Sequence, residues 1–284
     1  MKIAILTCVN DRPKISPLIF LCYLRLKEVF DIQLIVGYSS ESDGEMVEEW
    51  AAIDVGVHPV GPIENIPGQK WNTVLKYAIH SASNFDRFLI MGDDDSVSSE
   101  HVQRCISSGK DYCGSNKNGY INAVDGSAMV HQYAMKNKLI GAGRMISRYA
   151  ITQSCFKQRI FVTLGFRAGM DKIEKESEIL VPVNIAEYLV EYNQAKKIGD
   201  AQFCGLWPDG AVRSLDHLSE LNLVMNGFVP HGIDAFNVDV VDVKSSVNIW
   251  PYSILERKCK PLTWVQATWF MSDAEINLIR NYHE

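Results

Sequence analysis

Residues 88–95 read Phe88-Leu-Ile-Met-Gly-Asp-Asp-Asp95. The apolar run Phe88–Met91 is strand-length, and Gly92 ends it in front of three consecutive carboxylates. Adjacent carboxylates repel one another, and such a cluster is costly to hold together without a cation. A hard divalent ion, Mg²⁺ or Mn²⁺, takes oxygen ligands and binds phosphate oxygens as well. The cluster therefore reads as a metal–diphosphate site at the carboxyl end of a buried strand. The alternative is a solvated acidic turn that caps the helix opening at Ser98.

Upstream of this stretch, strand and helix alternate. Lys2–Leu6 is an apolar strand that ends in the polar turn Thr7–Pro13. Ser16 and Pro17 suit the cap and first position of a helix carrying Leu18, Leu21, Cys22 and Val29. Ile32–Val36 is a second buried strand, and Ser42 with Glu45 has capping-box spacing ahead of Met46, Val47 and Trp50. A short strand lies around Val55–Val60. Gly68–Ala82 is helical, with Val74, Leu75, Ala78 and Ile79 on one face. This order predicts an α/β fold with a mixed, mostly parallel sheet and helices on both faces. In such sheets ligands sit beyond the carboxyl ends of the strands, so Thr7–Arg12 and Asp93–Asp95 are expected to line one pocket.

The second half is less regular. A Lys- and Glu-rich run makes about 155–205 read as a mainly helical insertion. Strand character returns at Phe236–Val243. About 256–284 forms a C-terminal tail in which Ser272 and Glu275 box the start of a short helix. No internal repeat or low-complexity run divides the chain, which favours a single domain over 1–284.

The 284 residues carry 28 basic and 34 acidic side chains, a formal net charge of −6. That balance gives no global attraction to nucleic acid or to an anionic membrane, although a local basic edge of Lys136, Lys138, Arg144 and Arg148 remains open. Seven cysteines without a CxxC pair suggest neither a disulfide framework nor a zinc site. The most apolar stretch, Ile15 to Leu24, is too short to span a bilayer. A soluble, cytoplasmic protein with no membrane partner is expected.

Taken in order, Thr7…Asn10-Asp11-Arg12-Pro13, Gly68-x-Lys70-x-Asn72 and Gly92-Asp-Asp-Asp95 resemble the inverting glycosyltransferases of the GT-A fold. The likeness covers roughly the first 100 residues. It implies a Rossmann-like GT-A domain and transfer of a sugar from a nucleotide-sugar donor. Thr7, Asn10 and Arg12 would then contact the nucleotide, and Lys70 and Asn72 would lie beside base and ribose. Asp93 and Asp94 would meet the diphosphate, and Asp95 with Asp93 the metal, Mn²⁺ or Mg²⁺. A UDP-sugar is the first candidate, but Gly37-Tyr-Ser-Ser40 stands where the family shows an Asp-Asp-Gly-Ser type turn, leaving the base open.

Two later segments are similar to phage-encoded members: Gly141-Ala-Gly-Arg-Met-Ile-Ser147, and Leu206-Trp207 through Ser214-Leu-Asp216 to Asp242-Val-Lys244-x-x-x-Asn248-Ile-Trp250. In those relatives the Leu-Asp pair opening a helix supplies the general base, which here is Asp216. The first turn of a helix favours an ionised carboxylate, so Asp216 is either that base or an ordinary first-turn acid, with Asp171 as its rival. Asp242 and Lys244 alternate along a strand and share a face. They would add a metal oxygen and a counter-charge for the leaving diphosphate, or form a solvated strand face. The phage likeness implies hydroxymethylated pyrimidine in DNA as an acceptor, beside a saccharide, a protein or a small molecule. Two other classes stay in view: a nucleotidyltransferase, and a non-catalytic binding module on the same fold.

Overall fold

The computed structural model describes residues 1–81, 83–133, 138–155, 158–168, 171–182, 195–203, 205–207, 215–233, 237–245 and 259–282. Its first half follows the expected alternation: β1 (Ile3–Cys8), α1 (Pro17–Lys27), β2 (Ile32–Gly37), α2 (Glu41–Ile53), β3 (Val57–Val60), α3 (Pro67–His80) and β4 (Arg87–Ile90). After the acidic turn come β5 (Asp95–Val97), α4 (Ser99–Ser107), β6 (Tyr112–Ser115), β7 (Lys117–Asn122), β8 (Ala128–Gln132), β9 (Arg144–Ser147) and α5 (Arg148–Cys155). Past the insertion lie α6 (Leu215–Met225), β13 (His231–Ile233), β14 (Val240–Lys244), β15 (Lys260–Leu262), α7 (Trp264–Thr268) and α8 (Asp273–Arg280).

The fold is mixed α/β. A seven-stranded sheet runs β13-β6-β9-β4-β1-β2-β3. β4, β1, β2 and β3 pair in parallel, while β9 is antiparallel to both its neighbours. Side chains alternate across these strands, so each strand feeds two cores. Ile3, Ile5, Leu34, Val36 and Leu89 pack against Ile19, Tyr23 and Leu26 of α1, Val47 and Trp50 of α2, and Val102 of α4. Ala4, Leu6, Ile35, Phe88 and Ile90 pack against Val74, Leu75 and Ala78 of α3, with Ile151 of α5 and Leu223 of α6. Each buried Val, Leu, Ile or Phe side chain among these contributes about 1.5–3 kcal/mol relative to exposure.

A second sheet runs β15-β8-β7-β14-β5. The chain leaves the first sheet at Ile90 and enters the second at Asp95, so the acidic turn lies where the two sheets meet. Ile121, Val241 and Val243 of this smaller sheet, with Ile15 and Leu18, pack against Ala267, Met271 and Ile279 near the C-terminus.

Two sequence expectations are corrected. The described residues of the insertion are three antiparallel strands, β10 (Gln158–Ala168), β11 (Asp171–Pro182) and β12 (Ala195–Phe203), ordered β11-β10-β12, not a helical excursion. Ile160-Phe-Val-Thr163 is a run of strand-formers, and the Lys and Glu residues of β11 occupy a strand rather than a helix surface. The cap of α2 is Ser40, whose Oγ accepts from Asp43 N, two residues before the expected Ser42. The caps expected at Ser98 and Ser272 are formed.

Candidate functional site

The acidic turn is buried: Asp93 is 1%, Asp94 7% and Asp95 5% exposed. Gly92 allows this packing, because a Cβ there would come within 2.8 Å of Asp94 Oδ1. Its N–H donates to Asp95 Oδ2 at 2.6 Å. β14 runs antiparallel to β5 and sets Asp242 directly opposite Asp95. Asp94, Asp95 and Asp242 each bring one carboxylate oxygen within 4.8 Å of the others.

Two cations reach the cluster. Arg12 donates Nη1 to Asp94 Oδ2 at 2.7 Å and Nη2 to Asp93 Oδ1. Lys244, two residues along β14 from Asp242, places Nζ 2.5 Å from Asp242 Oδ2. Among the described residues, two cations thus pair directly with Asp93, Asp94 and Asp242 while Asp95 adds a fourth carboxylate, so acidic groups outnumber the cations paired with them. Burial is the largest cause pushing the carboxyls of Asp93 and Asp242 up to about 6, against the lowering effect of Arg12 and Lys244 respectively. Asp95 is raised well above the ordinary range by burial, then by Asp242 and Asp94. Desolvation alone would lower Lys244, but Asp242 and Asp94 outweigh it and hold the ammonium charged.

A divalent cation fits these residues. Asp242 Oδ1 is buried without a hydrogen-bond partner, the donor set is all oxygen, and the excess charge is of the right sign. The carboxylates brought together are Asp94, Asp95 and Asp242, where Asp93, Asp95 and Asp242 were expected. Asp93 spends both oxygens, one on Arg12 and the other on Ser16 Oγ at 2.5 Å. Asp94 takes its place beside Asp95 and Asp242.

The β1 turn is held from several sides. Asp11 adopts a left-handed φ of 53°, and its N–H donates to both carboxylate oxygens of Asp43 at 3.1 Å. Lys70, on the first turns of α3, donates to Val9 O at 3.1 Å and lies 3.5 Å from Asn10 Oδ1. Burial lowers the Lys70 ammonium pKa despite the acidic groups nearby. Asn10 is exposed and Arg12 half-buried, so both are accessible from solvent. Thr7 is fully buried with Oγ1 unpartnered. Asn72 turns toward the chain itself: it donates Nδ2 to Trp207 O at 2.6 Å and accepts from Trp207 N at 3.0 Å.

A second corner forms where Gly141–Ser147 meets α6. Arg144 is 5% exposed and donates to the carbonyls of Ile140, Asp216 and Leu139 at 2.7, 2.7 and 3.2 Å. It also pairs with Glu220 at 3.2 Å. Arg148 donates to the carbonyls of Phe85 and Ile79. Both guanidinium groups are engaged in holding backbone, which corrects the basic edge expected from them; Lys136 lies outside the described residues. Asp216 is exposed in the first turn of α6, and its carboxylate lies over Gly141, where a Cβ would come within 2.1 Å of Oδ2. The turn it covers is joined to the end of β4, since Gly143 N donates to Ile90 O. Asp171 opens β11.

Sequence reasoning missed Ser16 as a partner of Asp93 and Asp43 as the clamp on Asp11. The hydroxyl of Ser16 makes no bond to the helix it precedes, against the cap expected of it. Nothing local marks Asp43, which reaches across 32 residues.

No protein-family model matches the chain, and no curated protein sequence does. Among solved structures, TarS 1-349 from S. aureus is similar at 12% identity and TM-score 0.43, over 86% of this chain and 60% of that one. Its complex with UDP-GlcNAc gives 12% and 0.44, over 87% and 60%. The mannosyltransferase PcManGT from Pyrobaculum calidifontis, in complex with GDP-Man and Mn²⁺, gives 9% and 0.46, over 98% and 71%. The chain thus spans about 60% of the TarS structures it matches. At identities and TM-scores this low, no activity follows from the likeness. Among the described residues, no helix is long and apolar enough to cross a membrane.

Proposed function

We propose that this chain, acting as one GT-A-like domain, is a glycosyltransferase that moves a sugar from a nucleotide-sugar donor to an acceptor hydroxyl. The observation that carries this reading is the buried cluster Asp94, Asp95 and Asp242, with an orphaned oxygen on Asp242 and with Arg12 and Lys244 against it. A carboxylate cluster with adjacent fixed cations is suited to a metal ion and a diphosphate together.

Mn²⁺ or Mg²⁺ held by Asp94, Asp95 and Asp242 would supply Lewis acidity toward the leaving diphosphate. Lys244 supplies counter-charge in a buried setting, where it acts more strongly than in water. The Thr7–Pro13 turn, fixed by Lys70 and Asp43, forms one wall for the nucleotide, with Asn10 and Arg12 facing it. Asp216 takes the proton of the acceptor hydroxyl as that oxygen bonds to the anomeric carbon. The bond from that carbon to the diphosphate oxygen breaks in the same event, and the nucleoside diphosphate leaves with the electron pair. A single displacement inverts the configuration. Asn72 supports the pocket through residues 205–207 and not by contact with the ribose.

The first test incubates the protein with a panel of nucleotide sugars, UDP-sugars first, with and without Mn²⁺, and measures released nucleoside diphosphate. Release of diphosphate that stops in excess EDTA is expected. Release of pyrophosphate from nucleoside triphosphates would favour a nucleotidyltransferase, and binding without turnover a non-catalytic module. For the acceptor, hydroxymethylated pyrimidine in phage DNA is the specific proposal. It is tested with DNA containing 5-hydroxymethylcytosine or 5-hydroxymethyluracil, digested to nucleosides for mass analysis. The enzyme would then act in the host cytoplasm. No sugar-shifted nucleoside, from protein that hydrolyses a donor, directs the search to saccharide, protein and small-molecule acceptors.

A further inference from the structure

Behind the acidic cluster lies a second charged group, reaching it from the far end of the sequence. Glu275 sits in the first turn of α8 and is fully buried. One oxygen, Oε2, accepts from Arg25 Nε at 2.8 Å and from Ser272 N and Oγ at 2.8 and 2.9 Å. The other, Oε1, accepts from Ser96 Oγ at 2.6 Å and from Arg25 Nη2 at 3.2 Å. Arg25 Nη2 also donates to Ser96 Oγ at 3.1 Å and to Val97 O at 2.9 Å. A helix cap alone requires only the bonds to Ser272; the remainder converge on β5.

β5 is only three residues long, and Asp95 opens it. Side chains alternate across a strand, so Ser96 faces away from Asp95, toward Arg25 and Glu275. The strand is therefore held through the Ser96 side chain and Val97 O by Glu275 and Arg25, and along one edge by pairing with β14. A strand so short has little rigidity of its own, and its carboxylate points at Asp94 and Asp242, which repel it. We infer that Glu275, through Ser96 and with Arg25, is a positioning residue that fixes Asp95 for a divalent cation. This rests on the metal reading proposed above. Groups that orient ligands from behind typically alter metal affinity by about 10–100-fold when removed, and Glu275 acts one residue further back.

The experiment titrates the full chain with Mn²⁺ alone, following free Mn²⁺ by electron paramagnetic resonance, well below the melting temperature of each variant. Glu275→Gln keeps the size and the capping oxygen but loses the charge. Ser96→Ala removes the hydroxyl link between Glu275 and β5 and leaves the Glu275–Arg25 pair, with its bond to Val97 O, in place. Both are expected to weaken Mn²⁺ binding by about three- to tenfold, with Ser96→Ala melting close to the parent. Parent-like Mn²⁺ affinity in folded Ser96→Ala overturns the inference, whether or not Glu275→Gln folds. Absence of Mn²⁺ binding by the parent overturns the metal reading itself and this inference with it.

Discussion

At the end of β4 the chain buries Asp93, Asp94 and Asp95 against Asp242, and among the described residues the cations paired with them are Arg12 and Lys244. At the neighbouring corner, Gly141–Ser147 and α6, it buries one cation, Arg144, and surrounds it with carbonyl oxygens and Glu220. The second corner is satisfied by the protein alone, whereas the first is the one proposed above to take a cation and a diphosphate. Charge left over after folding thus separates a ligand site from a structural joint better than the presence of charge does. Asp216 stands between the two, tied through its backbone carbonyl to Arg144 while its carboxylate remains exposed.

The largest expected effect is at the acidic corner. Asp95→Asn removes the charge of a proposed metal ligand with little change in volume and leaves an oxygen for Gly92 N–H. Transfer should fall by roughly a thousandfold or more. Stability should move the other way in metal-free protein. The folded-state pKa of Asp95 is raised, so its ionised form disfavours folding above the ordinary carboxylate value of 3.8. The variant should melt higher at pH 7, with the gain shrinking as pH falls toward that value. Full activity in the variant, or a lower melting temperature at pH 7, breaks the contrast between the corners.

Next in size is Asp216→Asn. If the exposed carboxylate is the base, turnover falls by about 10²–10⁴-fold while donor binding is unchanged, since the charge is needed only as the acceptor loses its proton. Single-turnover rates and donor affinity measured side by side check this. The same pattern in Asp171→Asn, and not in Asp216→Asn, assigns the base to the insertion.

The acidic corner was legible in the sequence because its parts are local: an apolar strand, a glycine and three carboxylates in eight residues. The alternating elements up to α3 were legible for the same reason. Which carboxylates converge was not, because Asp93 is engaged by Ser16, 77 residues earlier, and that contact depends on how α1 packs. Arg144 and Arg148 looked like surface cations because nothing near them marks the carbonyls they serve, some of which lie 63–72 residues away. The strands of the insertion were hidden by charge, which suits the exposed side of either a helix or a strand. Sequence shows which chemistry is concentrated; packing decides which of those groups remain available.

A third prediction concerns the joint itself. Arg144→Ala leaves the carbonyls of Leu139, Ile140 and Asp216 without their donor and Glu220 without its cation. A loss of about 3 kcal/mol is expected, read from the midpoint of urea unfolding. Arg144→Lys should recover only part of it, because one ammonium cannot reach all of these acceptors in the planar fork geometry. If alanine is tolerated without loss, the corner is not structural, and Arg144 becomes available for substrate.

The smallest effect is the most discriminating, because it moves Asp216 without touching it. A Cβ at Gly141 would lie 2.1 Å from Asp216 Oδ2, 2.5 Å from its Cγ and 2.8 Å from Oδ1. All three atoms belong to the end of an exposed side chain, which can rotate away at little cost. Gly141 has no left-handed φ to strain. Gly141→Ala should therefore change stability by less than about 1 kcal/mol while displacing the carboxylate. Misplacement by about an ångström is enough to cost up to a hundredfold in a proton transfer, and roughly tenfold is expected here because Asp216 can swing partly back. Donor binding and Mn²⁺ affinity should stay at parent values, since Arg12, Lys70 and the acidic turn are untouched. A tenfold fall in turnover with unchanged melting places Asp216 in the reaction. Unchanged turnover in Gly141→Ala, together with an active Asp216→Asn, reduces Asp216 to a first-turn acid whose only task is to favour the start of α6.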